Sequence, residues 1–452
     1  MLKVIKIRKG LDIALFGAAK PQITDLKADC YALKPKDYVG ITPKMMVEEG
    51  DSVMIGSPVF FAKEKPEVKF VSPVAGVVKS IMRGEKRALE AIVIEAKGED
   101  EYVDFGKADA KAASREQIVE KLLASGCWTL IRQRPYSVIP NPAASPKAII
   151  IKGFDTAPLA ADYALLMSDC GTAFQTGIDA ISKLTDGKVH LNIGKTSSAD
   201  CLLKAQNVQI NVFEGKHPTG NISIQIEKLC PLNKDERIWY LDATDVVTIG
   251  RLFEDGVFKS DKIIALTGEQ VIETGYYRIK RGSSLAQIFK DNVKSEDNRF
   301  ISGNVLTGTR IAADGFLSAY DNMVSVIREG NQYEFIGWML PGFKKFSISR
   351  TFPYGFLRFF CRKPVSIDAN LHGGRRAFVF TGEFEKVLPL DIYPLELIKA
   401  CITEDIDKME QLGIYETDSE DFALCEVIDV SKTDIQQIIK QGLDLMRKEL
   451  GE

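Results

Sequence analysis

No two of the eight cysteines, Cys30, Cys127, Cys170, Cys201, Cys230, Cys361, Cys401 and Cys425, stand as Cys-x-x-Cys, and even the nearest pair, Cys401 and Cys425, is well separated. That spacing argues against a zinc knuckle, a ferredoxin-type cluster and a disulfide framework. It leaves the cysteines as small core residues of a reducing compartment. Histidine is scarcer. His190, His217 and His372 are scattered, so no protein-built metal site is expected. Also missing is any Gly-x-Gly-x-x-Gly, the backbone cradle that receives a flavin or nicotinamide pyrophosphate at a helix start. No stretch holds the ~18 uninterrupted apolar residues of a membrane span. The chain is therefore expected beside a bilayer, not as an ion path through it. Its start, Val4-Ile5-Lys6-Ile7-Arg8-Lys9, alternates as an edge strand does and lacks the unbroken apolar core of a signal peptide. Charge of one sign is lacking too: the formal net charge is -3, which advertises neither nucleic acid nor a bulk anionic membrane as partner.

What is present is the balance of a soluble globular protein, in a length that suggests roughly two to four domains. Residues 40–97 repeat short alternating strands with glycine turns. Val47-Glu48-Glu49-Gly50-Asp51-Ser52-Val53 and then Ser72-Pro73-Val74-Ala75-Gly76-Val77-Val78 resemble, in order, the two signature strings of the lipoyl/biotinyl barrel-sandwich module. Gly50 and Gly76 are both expected in tight turns with positive backbone angles. Lys65 lies eleven positions before Gly76, close to where a carrier bears its swinging arm. Pro66 stiffens that tip, and the flanks read by modifying enzymes are missing, so Lys65 reads as a solvated lysine and the module as carrier-like without a carrier arm.

From Ser114 helices and strands alternate. Ser114 and Gln117 frame a helix start. Residues 148–151, 189–193 and 208–213 are buried-strand runs of a doubly wound, Rossmann-like parallel sheet. Where a phosphate loop would sit, the chain reads Gly126-Cys127-Trp128-Thr129-Leu130-Ile131-Arg132-Gln133-Arg134-Pro135-Tyr136. Side chains there crowd out a pyrophosphate. The arginines suit an anionic or carbonyl group and the aromatics a ring, but the string equally reads as a loop anchored by a tryptophan. Residues 258–290 read as strand, strand and a helix capped by Ser283 or Ser284. After Pro389 helices are expected over 392–399, 405–412, 418–424 and 435–448.

The family becomes visible in longer strings. Ile5-Lys6-Ile7-Arg8-Lys9-Gly10-Leu11-Asp12, Arg83-Gly84-Glu85-Lys86-Arg87, Trp128-Thr129-Leu130-Ile131-Arg132-Gln133-Arg134-Pro135, Phe154-Asp155-Thr156-Ala157-Pro158 and Gly215-Lys216-His217-Pro218-Thr219-Gly220 resemble the A subunit of the sodium-translocating NADH:quinone reductases. So do Ile301-Ser302-Gly303-Asn304, Gly337-Trp338-Met339-Leu340-Pro341-Gly342, Phe346-Ser347-Ile348-Ser349-Arg350-Thr351 and Val387-Leu388-Pro389-Leu390-Asp391-Ile392. The resemblance spans nearly the whole chain. It implies a peripheral, cofactor-free subunit on the cytoplasmic face of the bacterial inner membrane. The complex has six subunits, moves electrons from NADH to quinone and exports sodium. Flavins and iron–sulfur centres belong to the partner subunits, a membrane subunit is the docking partner, and quinone is a ligand. It also implies kinship with the C subunit of the Rnf complex and the NADH-oxidising subunit of complex I, whose glycine loop and cluster cysteines this chain lacks. An Rnf-type NADH- and flavin-binding oxidoreductase subunit is the alternative.

The expected fold is multidomain, α+β and α/β. A barrel-sandwich hybrid occupies 1–105, a Rossmann-like α/β domain 106–255 and a β-grasp module 256–335. A connecting aromatic and basic segment fills 336–385, and a helical domain 386–452. Trp128, Arg132, Arg134 and Phe154 are the quinone candidates, at the carboxyl edge of the α/β sheet where ligands of such folds sit. Phe356, Arg358, Phe359 and Lys363 are the docking candidates, in a stretch that reads equally as junction core with snorkelling cations. No residue is assigned a catalytic or metal-binding role.

Overall fold

The computed structural model describes residues 4–295, 297–332, 335–336, 353, 364–379 and 381–451. The docking candidates Phe356, Arg358, Phe359 and Lys363 lie outside the described residues. Among the described residues no helix is long and apolar enough to cross a membrane.

Two small sheets form the first unit, Cys30–Leu33, Leu89–Ala96, Gly76–Arg83 and Ser52–Val53 facing Pro43–Met45, Pro58–Ala62 and Lys65–Val71. Their inner faces bury Ile55, Val59, Val68, Ile92 and Ile94, and Phe60 stacks on Phe70 at 4.4 Å. Gly50 has the expected left-handed backbone, φ +95°. Gly76 does not. It lies in a strand, and glycine is required there because a Cβ would overlap the carbonyl of Glu95. Lys65 also departs from expectation: it opens a strand, and its ammonium donates to the carbonyl of Ile139 at 2.9 Å, tying the barrel to the next unit.

The second unit is a six-stranded sheet in the order Val4–Ile7, Gln209–Gly215, Lys188–Gly194, Ala148–Lys152, Ile238–Asp242 and Arg132–Arg134. All neighbours are parallel except the last pair. The alternating amino terminus is an edge strand, but of this sheet and not of the barrel, whose strands begin only at Cys30. The runs at 148–151 and 189–193 are buried because helices cover the sheet, whereas that at 208–213 is buried only from Asn211 on. Arg115–Ala124 starts with a Ser114–Gln117 capping box, and Gly126 just after its end is left-handed. Asp242 caps Ala243–Asp255, which ends on left-handed Gly256. That helix crosses Ala173–Ile181 so closely that a Cβ on Gly250 would overlap the carbonyl of Ala173, and one on Gly177 the carbonyl of Val246.

A mixed sheet follows, in the order Thr309–Ile311, Asn298–Ser302, Met323–Arg328, Asp261–Thr267, Gly275–Lys280 and Ile23–Asp25. The chain's second strand thus joins a sheet more than two hundred residues away. Leu285 precedes the short helix Ala286–Phe289 without side-chain capping; Ser284 Oγ accepts the Ala286 N–H at 3.4 Å, while Ser283 donates to the Lys280 carbonyl. The last unit packs helices Pro394–Ile402, Ile406–Gln411, Ala423–Ile428 and Ile435–Glu449 around Leu397, Ile398, Phe422, Ile439 and Met446. The helix expected over 418–424 divides. Residues Ser419–Phe422 make a tighter turn, because Asp418 and Asp421 cap each other's ends.

The crossing at Gly250 gives a test. Gly250→Ala should lower stability by about 1–3 kcal/mol, the usual cost of overpacking a closed contact. It should be read as a lower urea midpoint with unchanged slope.

Candidate functional site

The carboxyl ends of parallel strands, where loops lead into helices, gather backbone N–H groups that in other proteins receive anionic ligands. Here two side chains of the chain itself stand there. Asp155, three residues past the strand Ala148–Lys152, accepts the N–H groups of Thr156 at 2.6 Å and Ala157 at 2.9 Å. Its other oxygen takes the Lys152 ammonium at 2.8 Å. Asp242 accepts the Thr244 N–H at 2.9 Å at the start of Ala243–Asp255, and the Tyr163 hydroxyl at 2.5 Å. Burial opposes the charge on Lys152, yet Asp155 beside it holds the ammonium above its ordinary range. Burial likewise opposes ionisation of Asp155, and Lys152 outweighs it, so the carboxyl titrates below its usual range. Both groups are charged at neutral pH.

His217 completes this edge. Its Nδ1 lies 3.2 Å from the Thr156 hydroxyl, which also accepts the Gly220 N–H at 2.9 Å. The Nε2 is buried without a hydrogen-bond partner, and burial holds the imidazole below its ordinary pKa, so the ring is neutral. The glycines of this edge are taken up by protein packing: a Cβ on Gly153 would lie 2.9 Å from the Asn192 carbonyl, and one on Gly215 would overlap the Thr219 hydroxyl.

Of the four quinone candidates the structure brings two together. Arg132 lies between the rings of Tyr240 at 4.6 Å and Tyr320 at 4.3 Å, with its Nε buried and unpartnered. Arg134 meets the same Tyr240 ring at 5.2 Å. It is only 2% exposed and is ion-paired with Asp418 and, at 2.9 Å, with Glu420, while Nη1 reaches Ser137 Oγ at 2.7 Å. Trp128 goes elsewhere. It is wholly buried, meets Trp239 edge-on, and donates its indole N–H to the Pro140 carbonyl at 3.0 Å. Phe154 stacks on Phe213 in the core shared with the C-terminal helices. The expected common pocket of all four is therefore not formed, because an indole that needs an acceptor and a phenylalanine that needs a core were drawn to different interiors.

The residues that close over this edge were missed by sequence reasoning. Asn221 donates to Asp421 at 3.1 Å, and Ser137 joins Asp418 to the Tyr240 hydroxyl, the latter at 2.8 Å. Asp418 and Asp421 carried a capping signal, but nothing in their neighbourhood announced a partner at Arg134. A second feature lies beneath the Trp128 loop. Tyr38, Phe70, Thr129, Arg281 and Tyr320 line a cavity of about 50 Å³ where barrel, parallel sheet and mixed sheet meet. Tyr320 donates its hydroxyl to the Thr129 carbonyl at 2.8 Å. In the wall, Asp37 accepts the Ala319 N–H at 2.8 Å, and burial pushes its pKa up to about 6 against the pull of Lys34.

Fold and site define a multidomain α/β protein whose ligand-facing sheet edge is filled by its own carboxylates and covered by its own C-terminal helices. Residues 5–97 match the family model of an NqrA N-terminal barrel-sandwich hybrid domain, residues 113–258 that of an NqrA second alpha/beta domain, and residues 263–313 that of an NQRA C-terminal domain. The chain is 38% identical over 99% of its length to the A subunit of the Na(+)-translocating NADH-quinone reductase of Yersinia pestis bv. Antiqua (strain Angola), covering 100% of that protein. With the same coverage it is 37% identical to the protein of that name from Serratia proteamaculans (strain 568) and 36% to that from Pasteurella multocida (strain Pm70). A solved structure of an NAD+-reducing NiFe hydrogenase in the H2-reduced state overlaps it with a TM-score of 0.41 at 14% identity, over 77% of this chain and 64% of that one. The chain belongs to the NqrA family, the A subunits of the Na(+)-translocating NADH-quinone reductases. It is thus a subunit of a translocase, and other subunits of that complex are its partners.

Two outcomes test this geometry. Arg134→Met should cost about 3 kcal/mol, since it leaves Asp418 beside a seam without its cation. Glu420→Gln, on the more exposed partner, should cost under ~1 kcal/mol. Urea midpoints, with proteolysis of the C-terminal helices as a local readout, separate the two. The second outcome concerns pH. Folded, Asp37 keeps its proton to about pH 6; unfolded, only to about 4. Folding binds a proton in that window, so this contribution is full below about pH 4 and is lost as pH rises through 6. The stability of wild type relative to Asp37→Asn should therefore fall by on the order of 2 kcal/mol between pH 4 and 7, and a flat difference would disprove the assignment.

Proposed function

We propose that this chain acts as a cofactor-free, peripheral subunit on the cytoplasmic face of the membrane, on the quinone side of a complex that passes electrons from NADH to quinone and exports sodium. The observation that carries the reading is the pair of internal carboxylates, Asp155 and Asp242, on the amides where a Rossmann-like sheet would hold a dinucleotide phosphate. A flavin or nicotinamide at that edge would set its phosphate against two carboxylates, a repulsion that the one cation paired there does not offset. The residues do not fit such a group, and electrons would enter and leave through flavins and iron–sulfur centres of partner subunits. The barrel is read as lipoyl/biotinyl-like with its would-be arm, Lys65, spent on the Ile139 carbonyl, and the mixed sheet as β-grasp-like.

For quinone the reading narrows to Arg132 with Tyr240 and Tyr320. A cation between two rings beside an unpartnered N–H supplies both the flat surface and the donor that a quinone carbonyl takes. Trp128 and Phe154, packed in other parts of the core, fall out of this reading. Docking on a membrane subunit is assigned to the aromatic and basic segment with Phe356, Arg358, Phe359 and Lys363.

The purified chain should be colourless, with no flavin band near 450 nm; a stoichiometric flavin spectrum would favour the Rnf-type alternative instead. A water-soluble quinone analogue should quench tryptophan fluorescence saturably, and Arg132→Ala should weaken it at least tenfold. Equal affinity in that variant places quinone elsewhere in the complex.

A further inference from the structure

A different part of the chain holds a charge without a partner. Between the helix Ala243–Asp255 and the strands Asp261–Thr267 and Gly275–Lys280 runs a cleft of about 410 Å³. Arg251, Lys262, Arg278 and Arg281 line it, from the helix and from both strands or their ends. Most of these cations are partly spent. Arg278 pairs with Asp25 and Asp169, Arg251 donates to the Asp169 carbonyl at 2.8 Å, and Arg281 takes Asp245 at 2.5 Å and Thr248 at 3.3 Å. One is not. Lys262 is 5% exposed, yet among the described residues its ammonium makes no hydrogen bond and no ion pair within 4 Å. That ammonium is not fully enclosed, and what exposure it keeps opens on the cleft.

A lysine buried to this extent costs several kcal/mol unless something compensates the charge. Asp245, Asp242 and Asp321 all act on its charge, but none pairs with it, and Arg281 has claimed Asp245. The strand could have carried an apolar residue at this position, as it does at Ile264 and Leu266 on the same face. Five cations, Lys259 among them, meet only Asp169 and Asp261 among the acids of the lining; Lys259 pairs with Asp255 outside it, and Asp169 with Arg278. What such a cleft lacks is negative charge from outside. A carboxylate would bring one charge and two acceptor oxygens. A phosphoryl group brings close to two charges and three acceptors, which suits an ammonium and two arginine side chains converging from separate elements.

We propose that this cleft binds a phosphate or phosphoryl group, held by Lys262 and Arg281 within and by Arg251 at the mouth. The cleft adjoins the Asp242 end of the sheet edge through Thr244, and the proposal does not depend on the quinone reading. Binding would draw Lys262, which burial and the neighbouring Arg281 pull down to about 8, back to full charge. It would also clamp the α/β unit against the mixed sheet, since the ligands come from both.

The test is titration of the full-length chain with inorganic phosphate at constant ionic strength, by calorimetry and thermal melting. Wild type should bind saturably and melt higher, while Lys262→Met melts no lower than wild type in chloride and binds at least tenfold more weakly. Arg251→Gln, on the surface, should weaken binding severalfold without changing the melting point in chloride, which keeps the proposal testable if Lys262→Met fails to fold. ADP and phosphate are compared in the same assay: tighter binding of ADP identifies a nucleotide phosphate, equal binding a free one, and both support the site. No saturable heat with either, or a phosphate effect of equal size in all three proteins, as a general salt effect would give, overturns it.

Discussion

Burying a guanidinium costs free energy unless each side of it is compensated, and Arg134 is 2% exposed at the last, antiparallel edge of the six-stranded sheet. Its compensation comes from residues 418–421, near the other end of the chain. Asp418 also takes the Ser137 hydroxyl, which touches Tyr240, and Tyr240 is the ring on which both Arg132 and Arg134 lie. The tight turn Ser419–Phe422 sets Asp421 on Asn221 from the same position, and with it the loop that carries His217. Around this charged centre the seam is apolar: Ile7, Phe154 and Phe213 share one core with Phe422 and Ile439. An ion pair of this kind adds little net stability over an apolar contact. What it adds is geometry, because an apolar seam tolerates sliding and a forked guanidinium between two carboxylates does not.

The same logic explains the sheet edge. Amides at the carboxyl ends of parallel strands must be satisfied by something when they are buried. With Asp155 and Asp242 in place, the amides of Thr156, Ala157 and Thr244 are satisfied by the chain itself. A buried amide ladder works in the same direction on the covered face: Asn211 donates to Asn192, Asn192 to Gln225, and Gln225 to the Gly220 carbonyl. Sheet, covering helix and the Gly215–Gly220 loop are thereby locked in one register.

Local signals were legible in the sequence and distant pairings were not. Ser114 with Gln117, the run at 148–151 and the alternation at the amino terminus each encode a physical preference that acts within a few residues, and each forms the element expected of it. Gly76 shows the limit of that reading. A glycine can be required by a turn or by a neighbour's carbonyl, and only the paired strand with Glu95 distinguishes the two. Lys65 met the Ile139 carbonyl, and Arg134 met Asp418, across separations that no local pattern records. The loop from Trp128 to Arg134 misled for a related reason. Its aromatic and basic residues lie close together in sequence, but the fold sends the indole inward to Pro140 and the guanidinium groups to Tyr240, so adjacency along the chain does not become a shared pocket.

Two pools of charge now stand in contrast within one molecule. At the sheet edge Lys152 has Asp155, Arg134 has Asp418 and Glu420, and Asp242 has Tyr163 and Thr244, so each of these charges has a partner within the chain. In the cleft beside Ala243–Asp255 the acid Asp245 is consumed by Arg281, and Lys262 keeps its burial without its partner. Lys152 and Arg134 are each ion-paired, whereas Lys262, itself buried, is not among the described residues. The difference is explained if the first pool builds the fold, where an unpaired group is pure cost, while the second is kept open for a partner that supplies the missing charge from solution.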